Sequence, residues 1–403
     1  MTAVTGLGLV TPAGIGTSTN WARILSGKPA AAPAKGLAGM PVEFACQVPG
    51  FDGEELLGAR QARRMDRYVQ FAVAATREAI GDANLDPRGW DGSRVGVVMG
   101  TGAGGTGTME TQHHQLTDNG ARRVSPLALP MGLPNMAAAQ LAIELGATGP
   151  NLAVCTACAS GATAIGVARD LLRSGAADVV LAGGAEAAVT PFFAAAFARM
   201  KALSNRHDDP AAASRPFDTG RDGFVMAEGA GVLVLESEEH ARRRDAPIRA
   251  RLAGYGASAD AFHVTAPHPD GEGARRAMRA ALADAGLGGA DIDHVNAHGT
   301  STPQGDLAEA KIIERVIGRR AAVSSAKGVI GHALGAAGAI EAAYTVLSVE
   351  HGLVPPTANL DRLDPGIDLD IVSGAPRRRR VDAAMSNSFG FGGHNAVLVF
   401  AAA

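Results

Sequence analysis

Three cysteines in 403 residues cannot build a disulfide framework, which points to a reducing compartment. Charge of one sign is also missing. The formal net charge is −3, so no basic field marks a nucleic-acid binder. No run approaches about 18 uninterrupted apolar residues, and no charged segment leads into an apolar one at the start. The chain reads as cytoplasmic, with no membrane or nucleic acid among its partners. Proline-rich and low-complexity linkers are absent, as is a Walker-type phosphate loop.

Hydrophobic residues make up 46% and charged residues 19%, enough apolar material for a large interior. The length suits about two to three structural units. The 52 glycines gather in short stretches such as "GTGAGGTG" and "FGFGGHN". Clusters of that kind make tight turns at a site.

Apolar runs alternate with amphipathic ones. "RVGVVMG" (94–100), "NLAVCTA" (151–157), "ADVVLAGG" (177–184) and "GAGVLVLES" (229–237) read as buried strands. Residues 66–83 and 273–286 read as amphipathic helices. In the second half, 294–299 and 320–326 read as strands running into loops, and 333–349 as a small-residue helix. Residues 382–400 read as two strands joined by a glycine-rich turn. The pattern is α/β. "AVCTA" (153–157) aligns with "AVSSA" (322–326), and each precedes a polar residue and a Gly/Ala-rich helix. We therefore expect two related halves, 1–250 and 251–403, in one body.

Cys155 and Cys158 are spaced C-x-x-C. A zinc ribbon needs a second such pair or two histidines at short spacing, and Cys46 is the only other cysteine. Cys155 falls in the apolar run and reads as strand filling. Cys158 falls at the strand-to-helix turn before "ASGATAIG", where backbone N–H groups and the helix dipole lower a thiol from about 8.5. Ala157, Ala159, Ser160 and Gly161 leave room for a substrate. Cys158 therefore reads as a nucleophile. "NAHGTSTPQGD" (296–306) places His298 at a strand end, and "KGVIGHALGAAG" (327–338) places His332 at a glycine turn. "SFGFGGHN" (388–395) offers backbone N–H groups suited to an oxyanion. "GTGAGG" (100–105) matches a dinucleotide fingerprint. The region after it does not read as a clean helix and strand, which argues against that use.

Together "VTGLGLVTPAG" (4–14), "TACASG" (156–161), "SRPFDTGRDGFVMAEGAG" (214–231), "NAHGTSTPQGD" and "SNSFGFGGHNA" (386–396) resemble the β-ketoacyl synthases of the thiolase-like superfamily. The resemblance spans essentially the whole chain and is strongest to the elongating Cys-His-His branch. It implies a five-layered αβαβα fold of two duplicated halves, usually a homodimer. It implies a decarboxylative condensation. Cys158 takes an acyl group from acyl carrier protein, and malonyl-carrier protein loses CO₂ and attacks to give a 3-ketoacyl product. No cofactor belongs to the protein itself, and phosphopantetheine arrives on the carrier.

The resemblance also assigns residues. His298 and His332 donate to the developing enolate. The N–H groups of Cys158 and Phe391 form an oxyanion hole, with Phe391 as a gate. Lys327 is held by Glu309. Thr300 and Thr302 bind the pantetheine arm, and Phe389, Ala103 and Ala128 the substrate. Arg60, Arg63, Arg64, Arg122, Arg123 and Arg206 match carrier-docking positions. No metal is required, although Asn296, Glu341, Ser386 and Asn387 match positions that hold a monovalent cation in some relatives.

Ala103 and Ala128 replace bulkier residues, which implies longer, stiffer or unusual acyl chains. Fatty-acid elongation is the first reading. A type II polyketide or polyene ketosynthase working with a chain-length factor is the second. A non-catalytic partner subunit is a third, and such partners lack the active cysteine. A thiol hydrolase would have no reason for His332.

Overall fold

The computed structural model describes residues 2–403. The first half runs β1 (Thr2–Thr11), α1 (Arg67–Asp82), β2 (Val95–Gly100), α2 (Thr106–Asn119), β3 (Asn151–Val154), α3 (Ser160–Arg173), β4 (Val179–Glu186), α4 (Pro191–Arg199) and β5 (Gly229–Ser237). The second runs β6 (Ala250–Ala259), α5 (Glu272–Ala285), β7 (His294–Asn296), α6 (Pro303–Val316), β8 (Ala322–Ser324), α7 (Ala337–His351), β9 (Ala383–Gly390) and β10 (His394–Ala401).

These ten strands form the body of one mixed sheet, joined only where Thr2–Val4 pairs with 250–252. Outward from that join the first half is ordered β1-β5-β4-β2-β3 and the second β6-β10-β9-β7-β8. In each, the first two pairings are antiparallel and the next two parallel. The chain folds one five-stranded unit twice.

Strand alternation sorts the core into layers. On β4, Val180 and Ala182 face the centre, while Val179, Leu181 and Ala185 face outward. The centre is filled by α3 and α7, which touch strands of both halves. Helix α1 covers the outside of the first half, and α5 with α6 the outside of the second. The result is the five-layered αβαβα fold. Helix α1 is capped by Asp66, whose side chain accepts from the Tyr68 N–H, and it buries Tyr68, Val69, Phe71 and Ile80. Each such side chain contributes roughly 1.5–3 kcal/mol on burial.

Small residues bring the two halves together at the centre. A Cβ on Gly161 would stand 2.7 Å from the Ala339 nitrogen, and one on Gly338 would stand 2.8 Å from the Ala162 nitrogen. Helices α3 and α7 therefore touch backbone to backbone. This contact draws the turns before each helix, which carry Cys158 and His332, into one place.

Three expectations change. Residues 106–119, which lack a clean apolar stripe, form α2, a mostly solvent-facing helix. The strand at 151–157 stops at Val154, and Cys155 is exposed rather than strand filling. The helix expected from 333 starts at Ala337, after a short turn over Leu334–Ala336. No helix among the described residues is long and apolar enough to cross a membrane.

Candidate active site

Strand β3 gives way to a tight turn before α3. Ala157 adopts φ 50°, an arrangement that costs a non-glycine residue about 1–3 kcal/mol. Ser160 pins the turn, donating to the Ala157 carbonyl at 2.6 Å and accepting from the Thr156 N–H at 2.9 Å. Cys158 is thereby presented, half-buried, to a cavity of about 500 Å³.

The histidines reach the same cavity from the second half. The loop after β7 is held by Glu309 on α6. Its two oxygens accept from the N–H groups of His298 and Gly299, each at 2.8 Å. Ser325 donates to the Gly299 carbonyl at 2.8 Å. His332 is fixed by its backbone, donating to Val225 O at 2.8 Å and accepting from Ala227 N at 3.0 Å. The imidazoles stand edge to face, with centroids 5.3 Å apart and planes at 87°. Phe389 packs on His298 at 5.8 Å and Phe224 on His332 at 5.4 Å. Phe197 bridges Phe224 and Phe391, at 5.2 and 6.5 Å.

Burial sets the charge states. It holds both imidazoles well below the ordinary histidine range, with the Lys327 ammonium adding repulsion. Both rings are therefore neutral at pH 7, and a neutral imidazole can donate an N–H. The Nδ1 atoms of both are buried without a partner. Cys158 departs from expectation. Burial pushes its thiol up to about 12, outweighing the Lys327 charge and the N–H groups of Phe391 and of Cys158 itself, which favour thiolate. Those two N–H groups nevertheless point toward the sulfur, where they favour its ionised form. Gly390 permits this, since a Cβ there would stand 2.5 Å from Thr156 O and 3.1 Å from the Cys158 nitrogen.

Lys327 is buried and paired with Glu341 on α7, not with Glu309. Glu309 is occupied by the His298 loop and by the Asn387 amide at 3.1 Å. Burial raises Glu309, and it pushes Glu341 up to about 7 against the pull of Lys327.

Thr300, Thr302, Phe389 and Phe391 line the cavity with the Cys-His-His group. Thr300 and Thr302 hydroxyls are 3.1 Å apart. Ala103 and Ala128 do not line it. Ala103 lies on the turn after β2 and Ala128 begins a short helix, Ala128–Gly132. Asn296 and Ser386 are neighbours across β7 and β9, with the amide 3.4 Å from the hydroxyl. One oxygen each of Asn387 and Glu341 is buried without a partner.

Among the docking arginines, Arg60, Arg64, Arg122 and Arg123 are exposed and make no ion pair among the described residues. Arg63 is paired with Glu54 at 2.9 Å, and Arg206 donates to Gly220 O at 3.1 Å.

The N-terminal domain model of the β-ketoacyl synthases matches residues 2–241, and the C-terminal domain model matches 249–361. The chain belongs to the β-ketoacyl synthase family. It is 47% identical over 402 residues to a 3-oxoacyl-[acyl-carrier-protein] synthase 2 of Staphylococcus aureus, covering 98% of this chain and 97% of that one. Among solved structures it resembles the ishigamide ketosynthase/chain length factor, at TM-score 0.94 and 34% identity over 100% of this chain and 99% of that one. A type II polyketide ketosynthase solved with its acyl-carrier protein and a bound hexaketide matches at TM-score 0.91 and 35% identity, with the same coverage. This synthase is thus an acyltransferase-class condensing enzyme.

Sequence reasoning missed four residues at the site. Phe224 lies inside a quoted motif without a role, and Phe197 lies on α4, outside every quoted motif. Lys201, exposed at the cavity mouth, is five residues from the chosen Arg206, and only the fold tells them apart. Glu186 gave no signal beyond being an acid at a strand end.

Proposed function

We propose that this synthase elongates acyl chains carried on acyl carrier protein, with Cys158 as nucleophile and His298 and His332 as enolate stabilisers. The convergence of these three side chains on one cavity carries the reading. Sγ attacks the acyl thioester carbonyl, a new C–S bond forms, and the pantetheine thiolate leaves with the proton that Cys158 gives up. The malonyl group then loses CO₂, and the electron pair of the broken C–C bond becomes an enolate. Its oxygen takes hydrogen bonds from the two neutral imidazoles. The enolate carbon attacks the acyl-Cys158 carbonyl, and Sγ departs and is reprotonated. Splitting the transfer through a thioester replaces one hard step with two easier ones.

The remaining roles follow from placement. Phosphopantetheine enters past Thr300 and Thr302, with Lys201 supplying charge at the mouth, and Phe391 gates the arm. Exposed Arg60, Arg64, Arg122 and Arg123 attract an acidic carrier, with Arg63 and Arg206 as further docking positions. The halves 1–250 and 251–403 act as domains, the first giving Cys158 and the second both histidines. A monovalent cation suits the unpartnered oxygens of Asn387 and Glu341 beside Asn296 and Ser386, where it would stiffen the site. The protein works in the cytoplasm as a homodimer. Strand β3 ends the sheet with Asn151–Ala153 exposed, Leu152 among them, and Ile143, Leu129 and Leu133 are further exposed apolar side chains. An unpaired edge of that kind invites a second copy.

A second reading is favoured by the likeness to the ishigamide ketosynthase/chain length factor: a ketosynthase subunit that needs a chain-length factor. One experiment serves both. The protein is incubated with malonyl-carrier protein and a panel of acyl-carrier proteins, with and without candidate partner subunits. Mass spectrometry reads the Cys158 adduct and the products. Elongation by the protein alone supports the first reading, and elongation only with a partner supports the second. No adduct on Cys158 in any mixture overturns both.

A further inference from the structure

Glu186, the last residue of β4, is fully buried and no cation pairs with it among the described residues. Four donors hold its carboxylate instead. Oε1 accepts from the Thr101 hydroxyl at 3.0 Å and the Ala103 N–H at 3.2 Å. Oε2 accepts from the Gly102 N–H at 2.7 Å and the Gly335 N–H at 3.0 Å. A buried carboxylate without a counter-ion is costly, and hydrogen bonds to its oxygens are what make it tolerable.

The donors belong to two turns from opposite halves. The first, 101–103, follows β2 and lies against the nucleophile turn. A Cβ on Gly100 would stand 2.4 Å from the Ser160 backbone, and the Cys155 thiol lies 3.8 Å from Gly102 O. The second follows His332 by three residues and includes Leu334 at φ 45°. The turns meet backbone to backbone, since a Cβ on Gly335 would stand 2.2 Å from the Gly102 nitrogen.

We propose that Glu186 is a positioning residue that registers the His332 turn against the Cys158 turn through one carboxyl group that accepts from both. This rests on Cys158 and His332 being the reacting groups. Its consequence is selective. Acyl transfer uses the Cys158 turn and the Phe391 N–H, and does not need His332 in register with them. Carbon–carbon bond formation needs the enolate held by His332 to meet the thioester on Cys158. A loosened register therefore spares the first step and damages the second.

A second consequence is electrostatic. Burial pushes Glu186 up to about 7, and its negative charge opposes ionisation of Cys158. Lys327 also acts on that thiol, and the cavity it faces is lined by Lys201, Asp222, Asp260, His268, His298, Asp306, Glu309 and His332; none of them is altered in a Glu186 variant.

The test uses Glu186→Gln in the full chain. Glutamine keeps one acceptor oxygen and turns an amide toward two former donors, of which only the Thr101 hydroxyl can reverse. We expect Cys158 acylation within about threefold of the parent, condensation at least tenfold slower, and an iodoacetamide pH–rate midpoint shifted to lower pH. Equal losses in acylation and condensation, or an unmoved midpoint in a folded variant, would overturn the proposal. Should Glu186→Gln fail to fold, Thr101→Val decides, because it removes one donor and keeps the carboxylate. A condensation loss without an acylation loss supports the proposal, and no selective loss overturns it. Parent protein and Cys158→Ala run alongside. If the parent itself forms no adduct on Cys158, the fault lies in the site reading and not in Glu186.

Discussion

Lys327 and Glu341 form an ion pair in which each side chain is only 1% exposed. The charge of Lys327 acts on both imidazoles and on Cys158. Removing one partner strands the other without water. Glu341→Ala should cost about 3–5 kcal/mol, whereas Lys327→Met with Glu341→Leu should recover most of that stability. Urea unfolding reads both. The double variant should still turn over poorly, because Cys158 loses the positive charge that favours its thiolate. A double variant with parental turnover would remove that role.

Gly390 lets the gate loop lie against the nucleophile turn. Gly390→Ala has to push either Thr156 O or the Cys158 nitrogen away. We expect acylation of Cys158 to slow by about 10²-fold, the usual loss for a misplaced oxyanion donor. Stopped reactions analysed by intact-protein mass spectrometry give the rate. Acylation at the parental rate would mean that the Phe391 N–H does not serve the acyl carbonyl.

Arg60, Arg64, Arg122 and Arg123 have no acidic partner to lose. Reversing either pair to glutamate should raise KM for the carrier protein several-fold and leave kcat nearly unchanged. Raising the salt should shrink the difference, since exposed charges are screened beyond about 8–10 Å at physiological ionic strength. A KM difference that survives high salt would point to packing instead.

Asp306 on α6 is buried, and burial pushes it up to about 7 despite the N–H groups of Phe217 and Ser301 and the charge of Arg221. Between about pH 4 and 7 the folded chain keeps a proton that the unfolded chain has released. This group therefore favours folding at the acid end, and that contribution falls as the pH rises to 7. Asp306→Asn removes the slope. The Tm of the parent minus that of the variant should decline from pH 5 to pH 7 and then level off.

Much of the site could be read in the sequence because its chemistry sits in short motifs. Cys158, His298 and His332 each occupy a turn at a strand end or helix start, where local pattern and function coincide. The partner of Lys327 could not be read that way. Glu341 is fourteen residues ahead, on α7, and Glu309 eighteen residues back, on α6, and only the packing of α7 chooses between them. The ionisation of Cys158 was misjudged for a similar reason, since local N–H groups are visible in sequence and burial is not. Glu186 was invisible because its four donors come from residues 101–103 and 335. The edge position of β3, which leaves Cys155 exposed, follows from strand order, and strand order is set by pairings across the whole chain.

Phe197, Phe224, Phe389 and Phe391 surround the two neutral imidazoles with hydrocarbon. Phenyl rings carry no exchangeable hydrogen. A carbon nucleophile lives only until a proton finds it. In this room the reactive carbon has the thioester within reach, and four of its walls cannot hand it a proton. How many released CO₂ molecules end in a longer chain, rather than in wasted acetyl, is then a property of the walls.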